Sequence, residues 1–209
     1  FLPKERLKKC SALYDFCRIA DNIADDDENI ENKEKKVSQF ENDFNQKKFN
    51  DPIIKNMWDL IEEFKISLKI VQDLLIGIKL DIKDKVKLNS KKELLIYSYR
   101  VAGTVGLMMA KILKVNKKSS LKSAIDLGIA MQLTNITRDI SEDARSQRRY
   151  LPTTFVGTLS CTEVLSSSNA SLEHICEAVD RIVNLADRYY KSGREGFCFL
   201  PATSRQAIA

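Results

Sequence analysis

Two acidic stretches, more than 100 residues of sequence apart, each place aspartates four residues apart within a helical pattern. The first pair is Asp21 and Asp25, and the second is Asp139 and Asp143. Residues at i and i+4 share one face of a helix, with Cβ atoms about 5–6 Å apart. Mg²⁺ prefers oxygen ligands and is usually held by few carboxylates together with substrate phosphates. If the two acidic faces oppose each other, the sequence predicts a magnesium site that binds a diphosphate.

Helix stability does not explain these aspartates. Asp costs up to about 0.7 kcal/mol relative to Ala in a helix, and like charges at i,i+4 cost about another 0.2–0.5 kcal/mol. Both clusters also fall where the helical pattern ends, at the negative pole of the helix dipole. The alternative is that they are solvated ends of amphipathic helices, but apolar residues flank the stripes, as in a half-buried cleft wall. These residues are Ile19, Ile23, Ile136 and Ile140.

Composition bounds the fold and excludes several classes of protein. The 209 residues are 44% hydrophobic, which suffices for the core of one globular unit. No run of about 18 apolar residues predicts a membrane span. The net charge of +5 does not favour nucleic acid, because acidic residues lie between the Lys and Arg; a face toward anionic lipid or a diphosphate explains it equally well.

Cysteine and histidine usage argues against a metal site built from these residues. The five cysteines have no zinc-type spacing, and we expect reduced core thiols in a cytosolic protein. The single histidine, His174, is expected at the surface or its boundary. Neither a Walker-type nor a dinucleotide-binding glycine loop is present. The cysteines are Cys10, Cys17, Cys161, Cys176 and Cys198.

The periodicity of apolar residues predicts an all-α fold without strands of useful length. Two glycines, Gly103 and Gly106, fall inside a predicted helix that begins after a capping box at Ser90. Each costs about 1 kcal/mol relative to Ala, so we expect a kink there, or close approach of a ligand or another helix. Ser119 or Ser120 is expected to cap the helix that carries the second acidic pair. The predicted helices span 4–27, about 33–47, 52–65, 68–78, 91–113, about 120–146 and 171–193.

Several ordered motifs resemble the squalene/phytoene synthase family, and the wording of the second acidic motif is most similar to bacterial phytoene synthases. One departure is Gln147, where relatives usually carry Gly before the loop arginine, so the geometry of this flap is expected to differ. We expect a single domain over residues 1–209 that is incomplete at both ends, which puts its activity in doubt. The motifs are 18–26 (RIADNIADD), 97–106 (YSYRVAGTVG), 132–139 (QLTNITRD), 142–145 (EDAR), 150–152 (YLP), 186–190 (ADRYY), Leu200-Pro201 and Ser204-Arg205.

The resemblance implies an isoprenoid synthase type helical bundle around a central apolar cavity, with the two aspartate motifs facing each other across its mouth. It implies metal binding by Asp21, Asp25, Asn135, Asp139 and Asp143, of which the four aspartates also act in catalysis. Tyr97 is expected to shape the pocket for the carbocation. The residues implied in substrate binding are Arg18, Gln132, Arg138, Arg148, Tyr189 and Arg205.

The reaction implied is the head-to-head condensation of two geranylgeranyl diphosphates to phytoene, which begins carotenoid biosynthesis. It requires Mg²⁺, with Mn²⁺ as an alternative, and no nicotinamide cofactor. Synthesis of squalene or dehydrosqualene from farnesyl diphosphate is one alternative, and a non-catalytic family scaffold such as an assembly factor is another. We expect a cytoplasmic protein that associates peripherally with membranes, because its substrate and product are lipids, and no nucleic-acid partner.

Overall fold

The computed structural model describes residues 2–26, 28–115, 117–166 and 168–200. About 79% of it is helical, so the all-α prediction is confirmed. The α-helices are α1 (Lys4–Asp25), α2 (Ile30–Asn45), α3 (Pro52–Phe64), α4 (Leu68–Asp81), α5 (Lys91–Ser98), α6 (Thr104–Ile112), α7 (Lys118–Arg138), α8 (Ile140–Arg145), α9 (Thr153–Val156), α10 (Cys161–Ser166) and α11 (Asn169–Arg194).

Side-chain caps fix where several helices begin. Asn29 and Asp51 accept hydrogen bonds from the first-turn amides of α2 and α3. Ser90 caps α5 as predicted, by accepting from the amide of Glu93. The prediction for α7 is wrong: the N-cap is Lys117, so Ser119 and Ser120 lie within the helix.

The predicted helix over 91–113 is interrupted by a π-helical turn at Tyr99–Gly103 that joins α5 to α6. The glycines here allow close helix packing. A Cβ on Gly106 would lie 2.3 Å from the carbonyl oxygen of Ala124, and a Cβ on Gly128 would lie 2.4 Å from that of Ala102. Both the kink and the close approach of another helix that we expected are therefore present.

One strand pair was not predicted. The two-residue strands β1 (Val86–Lys87) and β2 (Arg148–Arg149) are parallel, with Val86 opposite Arg148. The pair joins the polar connection after α4 to the loop after α8. It lies beside the acidic motifs and fixes the direction of the side chains on β2.

The core consists of two large hydrophobic clusters. The first is formed by α1 to α4 and the end of α6, where Phe16, Phe44 and Trp58 make close ring contacts. The second surrounds α7 and α11, which pack along each other. Within the described ranges, no helix is long and apolar enough to cross a membrane.

The histidine prediction is confirmed and the cysteine prediction is partly wrong. His174 is exposed on α11. All five cysteines are free thiols, but only Cys17 is fully buried. Burial raises the pKa of Cys17 to about 12. Cys176 and Cys198 are exposed.

Candidate functional site

The first aspartate motif occupies the last turns of α1. Asp25 accepts a hydrogen bond from Nη1 of Arg148 at 3.1 Å, and Nη2 of the same guanidinium donates to the carbonyl oxygen of Ala24 at 3.1 Å. Lys33 also donates to that carbonyl at 3.0 Å. Desolvation in the cleft, together with the charge of Asp25, raises the pKa of Asp21 to about 6, although part of the Asp21 side chain is exposed.

The second motif spans a break between two helices. We predicted one helix to about residue 146, but α7 ends at Arg138 and Asp139 joins it to α8. The backbone amide of Asp139 donates to the carbonyl oxygen of Asn135 at 2.9 Å, and the backbone amide of Asp143 donates to the carbonyl oxygen of Asp139 at 2.8 Å. These bonds keep helical spacing across the break, so the three side chains still belong to one stripe.

The two aspartates of this motif have opposite electrostatic environments. Arg138 donates two hydrogen bonds to the carboxylate of Asp139, from Nε and from Nη2, each at 2.7 Å. These bonds lower the pKa of Asp139. Burial, followed by the negative charge of Asp139, raises the pKa of Asp143 to about 7. The charge of Arg148 opposes the shift at Asp143. Because Arg148 also bonds Asp25, it lies between the two motifs.

Asp21 of the first acidic pair and Asn135, one turn before Asp139, border one cavity of about 590 Å³. Arg18 and Asp21 line it from α1, and Gln132 and Asn135 line it from α7. The rest of its wall is mostly apolar and comes from α1, α4, the π-helical turn, α6, α7 and the segments that follow α6 and α11. Its apolar lining includes Cys17, Leu74, Val101, Ala102, Val105, Met109, Leu113, Val115, Leu127, Met131 and Phe197.

Five predicted residues belong to the aspartate motifs or contact them but do not line this cavity: Asp25, Arg138, Asp139, Asp143 and Arg148. Two further predicted residues, Tyr97 and Tyr189, lie elsewhere. Tyr97 is buried and does not belong to the cavity wall formed by the described residues. Tyr189 is half-buried on α11, where burial and the charge of Asp126 raise its pKa, and it is likewise absent from that wall. Arg205 lies outside the described residues.

Two residues at the site, Tyr150 and Asp81, were not predicted. Tyr150 and Tyr97 stack with ring centroids 4.6 Å apart. Their hydroxyls donate to the two carboxylate oxygens of Asp81, at 2.6 Å from Tyr150 and 3.0 Å from Tyr97. The tyrosine at 150 stood in a motif without an assigned role. For Asp81, the only signal was a lone carboxylate at the end of the apolar helix α4.

The donor set suits a hard cation although no compact cage is formed. Among residues 2–26, 28–115, 117–166 and 168–200, no three His, Cys, Asp or Glu side chains converge as a metal site. The cavity wall instead carries the side-chain oxygens of Asp21 from α1 and Asn135 from α7. Mg²⁺ needs only one or two carboxylates when waters and substrate phosphates complete its shell. The residues therefore fit magnesium bound jointly with a diphosphate.

Sequence comparison assigns the family. The model of the family described as "Squalene/phytoene synthase" matches residues 1–209. The chain belongs to the squalene/phytoene synthase family. This membership confirms the resemblance inferred from the motifs.

Named relatives within the squalene/phytoene synthase family agree with this assignment. A 15-cis-phytoene synthase of Enterobacter agglomerans is 32% identical over 94% of this chain and 70% of its own length. A phytoene synthase of Cereibacter sphaeroides is 33% identical over 99% of this chain and 61% of its own length. The chain thus spans about two thirds of the curated relatives it matches.

Solved structures of the family share the fold. A dehydrosqualene synthase in complex with ligand is 30% identical, with a TM-score of 0.77 over 100% of this chain and 73% of the other. The squalene synthase HpnC from Alicyclobacillus acidocaldarius has a TM-score of 0.83 at 16% identity, covering 98% of this chain and 78% of its own. The second similarity concerns the fold alone. Both support the predicted isoprenoid synthase type of helical bundle.

Proposed function

We propose that this chain is a prenyltransferase that condenses two geranylgeranyl diphosphates head to head to phytoene, the first step of carotenoid biosynthesis. The observation that carries the proposal is the largely apolar cavity of about 590 Å³ whose wall includes Asp21 of the first acidic pair and Asn135, one turn before the second. The names of its relatives support the same product. The reaction passes through a cyclopropylcarbinyl diphosphate, which must ionise in the same cavity.

The metal ligands are proposed from the donor chemistry of the two motifs. Asp21 and Asp25 on α1 would hold Mg²⁺ together with Asn135 on α7, Asp139 at its end and Asp143 on α8. Bound there, the metal supplies charge neutralisation to the diphosphate leaving group. The four aspartates flank the position where that negative charge develops.

Three arginines complete the proposed diphosphate site. Arg18 lines the cavity beside the first motif. Arg148 is largely buried between the motifs, with 16% of its side chain exposed. Arg138 is exposed and bonded to Asp139, so its guanidinium must turn to reach an anion. Donors aimed at developing charge in a water-poor site stabilise ionisation more than they do in bulk water.

The cavity wall is proposed to hold the prenyl chains and exclude water from the carbocation. Val101, Val105 and Met109 present apolar side chains to the interior. Tyr97 is proposed to shape the cation pocket from behind this wall, one turn before Val101. Gln132 lines the cavity, as Asn135 does, and is proposed to contact the substrate. Tyr189 and Arg205 are also proposed to contact the substrate, on the basis of the family resemblance.

A product assay tests the proposal. The protein is incubated with Mg²⁺ and either geranylgeranyl or farnesyl diphosphate, and hydrocarbons are separated by chain length. We expect a C40 product, and we expect Asp139→Asn to abolish it. Asp187→Asn is the control, because this exposed carboxylate on α11 pairs only with Lys191 among the contacts described.

A squalene-type reaction is the second candidate. It is favoured by the dehydrosqualene synthase structure, which is 30% identical to this chain. A C30 product alone, from farnesyl diphosphate, would replace the first proposal by this one. A non-catalytic scaffold predicts no product from either diphosphate and no thermal stabilisation by Mg²⁺ with a prenyl diphosphate analogue.

Peripheral membrane association is proposed from the chemistry of the reaction, because both substrate and product are lipids. We expect the protein to sediment with vesicles that contain anionic lipid. The basic net charge of +5 favours that attraction. Retention in the supernatant at low salt would refute the proposal.

A further inference from the structure

A partly buried carboxylate, hydrogen-bonded to Tyr97 and Tyr150, has no role in the site as described so far. Asp81 is the last residue of α4. It accepts one tyrosine hydroxyl on each oxygen, from Tyr150 and Tyr97, and the two rings stack on each other. A desolvated carboxylate is costly unless it is paired or hydrogen-bonded. These two bonds therefore fix Asp81 and both rings as one unit.

This unit is joined to Arg148 by the backbone of β2. Alternate residues of an extended strand point to the same side. Arg148 and Tyr150 accordingly both face the acidic mouth. Arg149 points the opposite way, donating to Thr153 Oγ1 at 2.8 Å and to the carbonyl oxygen of Gly157 at 3.5 Å. The hydroxyl bond from Tyr150 to Asp81 thus anchors the segment that aims Arg148.

Asp25, which accepts a hydrogen bond from Arg148, is not sufficient to balance the charge of this arginine. Its guanidinium is largely buried, whereas 68% of the Asp25 side chain is exposed. Exposed ion pairs contribute little because solvent screens them. A metal ion that engages Asp25 would compete for the same carboxylate. Asp81 is a second carboxylate whose negative charge acts on Arg148, and it is less exposed than Asp25.

We propose that Asp81 is a positioning residue that holds Arg148 between the two aspartate motifs, through Tyr150 and through its own charge, when Asp25 engages a metal ion. The inference rests on the proposed function, since it assigns Arg148 to a diphosphate bound with metal. Asp81 itself does not contact the diphosphate. It keeps the guanidinium in place to receive the anion.

The test measures binding of inorganic diphosphate in the presence of Mg²⁺ by titration calorimetry. Asp81→Asn is expected to weaken binding about tenfold, because the amide cannot accept both tyrosine hydroxyls and carries no charge. Tyr150→Phe removes only the hydroxyl link and is expected to weaken it in the same direction. The control is Asp73→Asn, also on α4, where the carboxylate contacts the Tyr99 hydroxyl at 3.5 Å.

A double-mutant cycle separates positioning from a general structural role. If Asp81 acts through Arg148, Arg148→Gln alone weakens binding and the further change Asp81→Asn adds nothing. Additive losses would overturn the inference, as would unchanged binding by both Asp81→Asn and Tyr150→Phe. Melting temperatures in EDTA report folding, and a binding loss that merely follows them across the variants also overturns it.

The two proposals fail in different ways. If the unsubstituted protein does not bind Mg²⁺ with diphosphate, the proposed function is refuted and this inference falls with it. If the unsubstituted protein binds but loses nothing on replacement of Asp81 and Tyr150, only the positioning role is refuted.

Discussion

The contact of α7 with α6 and the preceding π-helical turn provides the sharpest stability prediction, because two glycines allow it. We expect Gly128→Ala to destabilise the protein. The new Cβ would lie 2.4 Å from the carbonyl oxygen of Ala102, whereas real Cβ atoms essentially never approach within 3.0 Å. The backbones must therefore separate by at least 0.6 Å, the difference between these distances. The obstacle is main chain and cannot turn aside.

The expected magnitude follows from two opposing effects. Overpacking costs about 1–3 kcal/mol, and a gap of this size removes about a quarter of the dispersion energy at neighbouring contacts. Replacing a helical Gly by Ala returns about 1 kcal/mol. We therefore expect a net loss of about 1–2 kcal/mol in the free energy of unfolding. For a chain of this length, each kcal/mol lowers the melting temperature by about 2–4 °C.

Urea unfolding monitored by the single tryptophan, Trp58, measures this loss. The control is Gly103→Ala, whose Cβ would meet only side-chain atoms of Tyr99, Ile125 and Ile129, at 3.1–3.4 Å. It is expected to change stability much less. Equal stability of the Gly128→Ala protein and the unsubstituted protein would refute the reasoning.

The reciprocal contact adds a second check. The Cβ of Gly106→Ala would lie 2.3 Å from the carbonyl oxygen of Ala124. A single movement of α7 away from α6 and the π-helical turn that continues into it relieves both clashes. The double variant with Gly128→Ala should therefore lose less than the sum of the single losses, and strict additivity would contradict a shared movement.

Three further predictions concern single residues. Gln147 has φ 57°, a left-handed conformation that Gly adopts without cost, so Gln147→Gly should stabilise the metal-free protein by about 0.5–1 kcal/mol in urea unfolding; a loss would contradict this. Burial raises the pKa of Asp81 to about 6 from 3.8, so its contribution to stability is present below about pH 4 and is lost as pH rises through 6. Relative to Asp81→Asn, the unsubstituted protein should lose up to about 3 kcal/mol over that interval, and parallel pH profiles would exclude the shift. Iodoacetamide at pH 8 should label exposed Cys176 and leave Cys17 unlabelled by mass spectrometry, because burial raises the pKa of Cys17 to about 12; rapid labelling of Cys17 would indicate an open core.

The helices were predictable because their signals are local. Apolar spacing and the capping box at Ser90 act within a few residues, and they place α3 and the start of α5 correctly. The break at Asp139 has no such signal, because hydrogen bonds at helical spacing continue across it. The strand pair β1 and β2 was not predictable, since two residues are too few for a periodic pattern and their pairing depends on tertiary structure.

The candidate site was likewise predictable only where its signals are local in the sequence. Spacing alone placed Asp21 with Asp25, and the cavity brings Asp21 and Asn135 to one wall. The sequence offered no means to find Asp81, because a lone carboxylate at a helix end normally lies in water. Its burial depends on Tyr150, which is 69 residues away in the sequence. Contacts of that separation arise only from the packed fold.

The position of the site at helix ends creates an electrostatic conflict that the protein only partly resolves. The carbonyl groups that end α1 carry partial negative charge beside two aspartates. Lys33 and Arg148 both donate to the carbonyl of Ala24, which offsets this charge locally. Asp21 and Asp143 nevertheless keep pKa values raised by burial and by neighbouring carboxylates. The aspartates therefore carry more negative charge than Lys33 and Arg148 balance. Such an excess favours the binding of divalent cations.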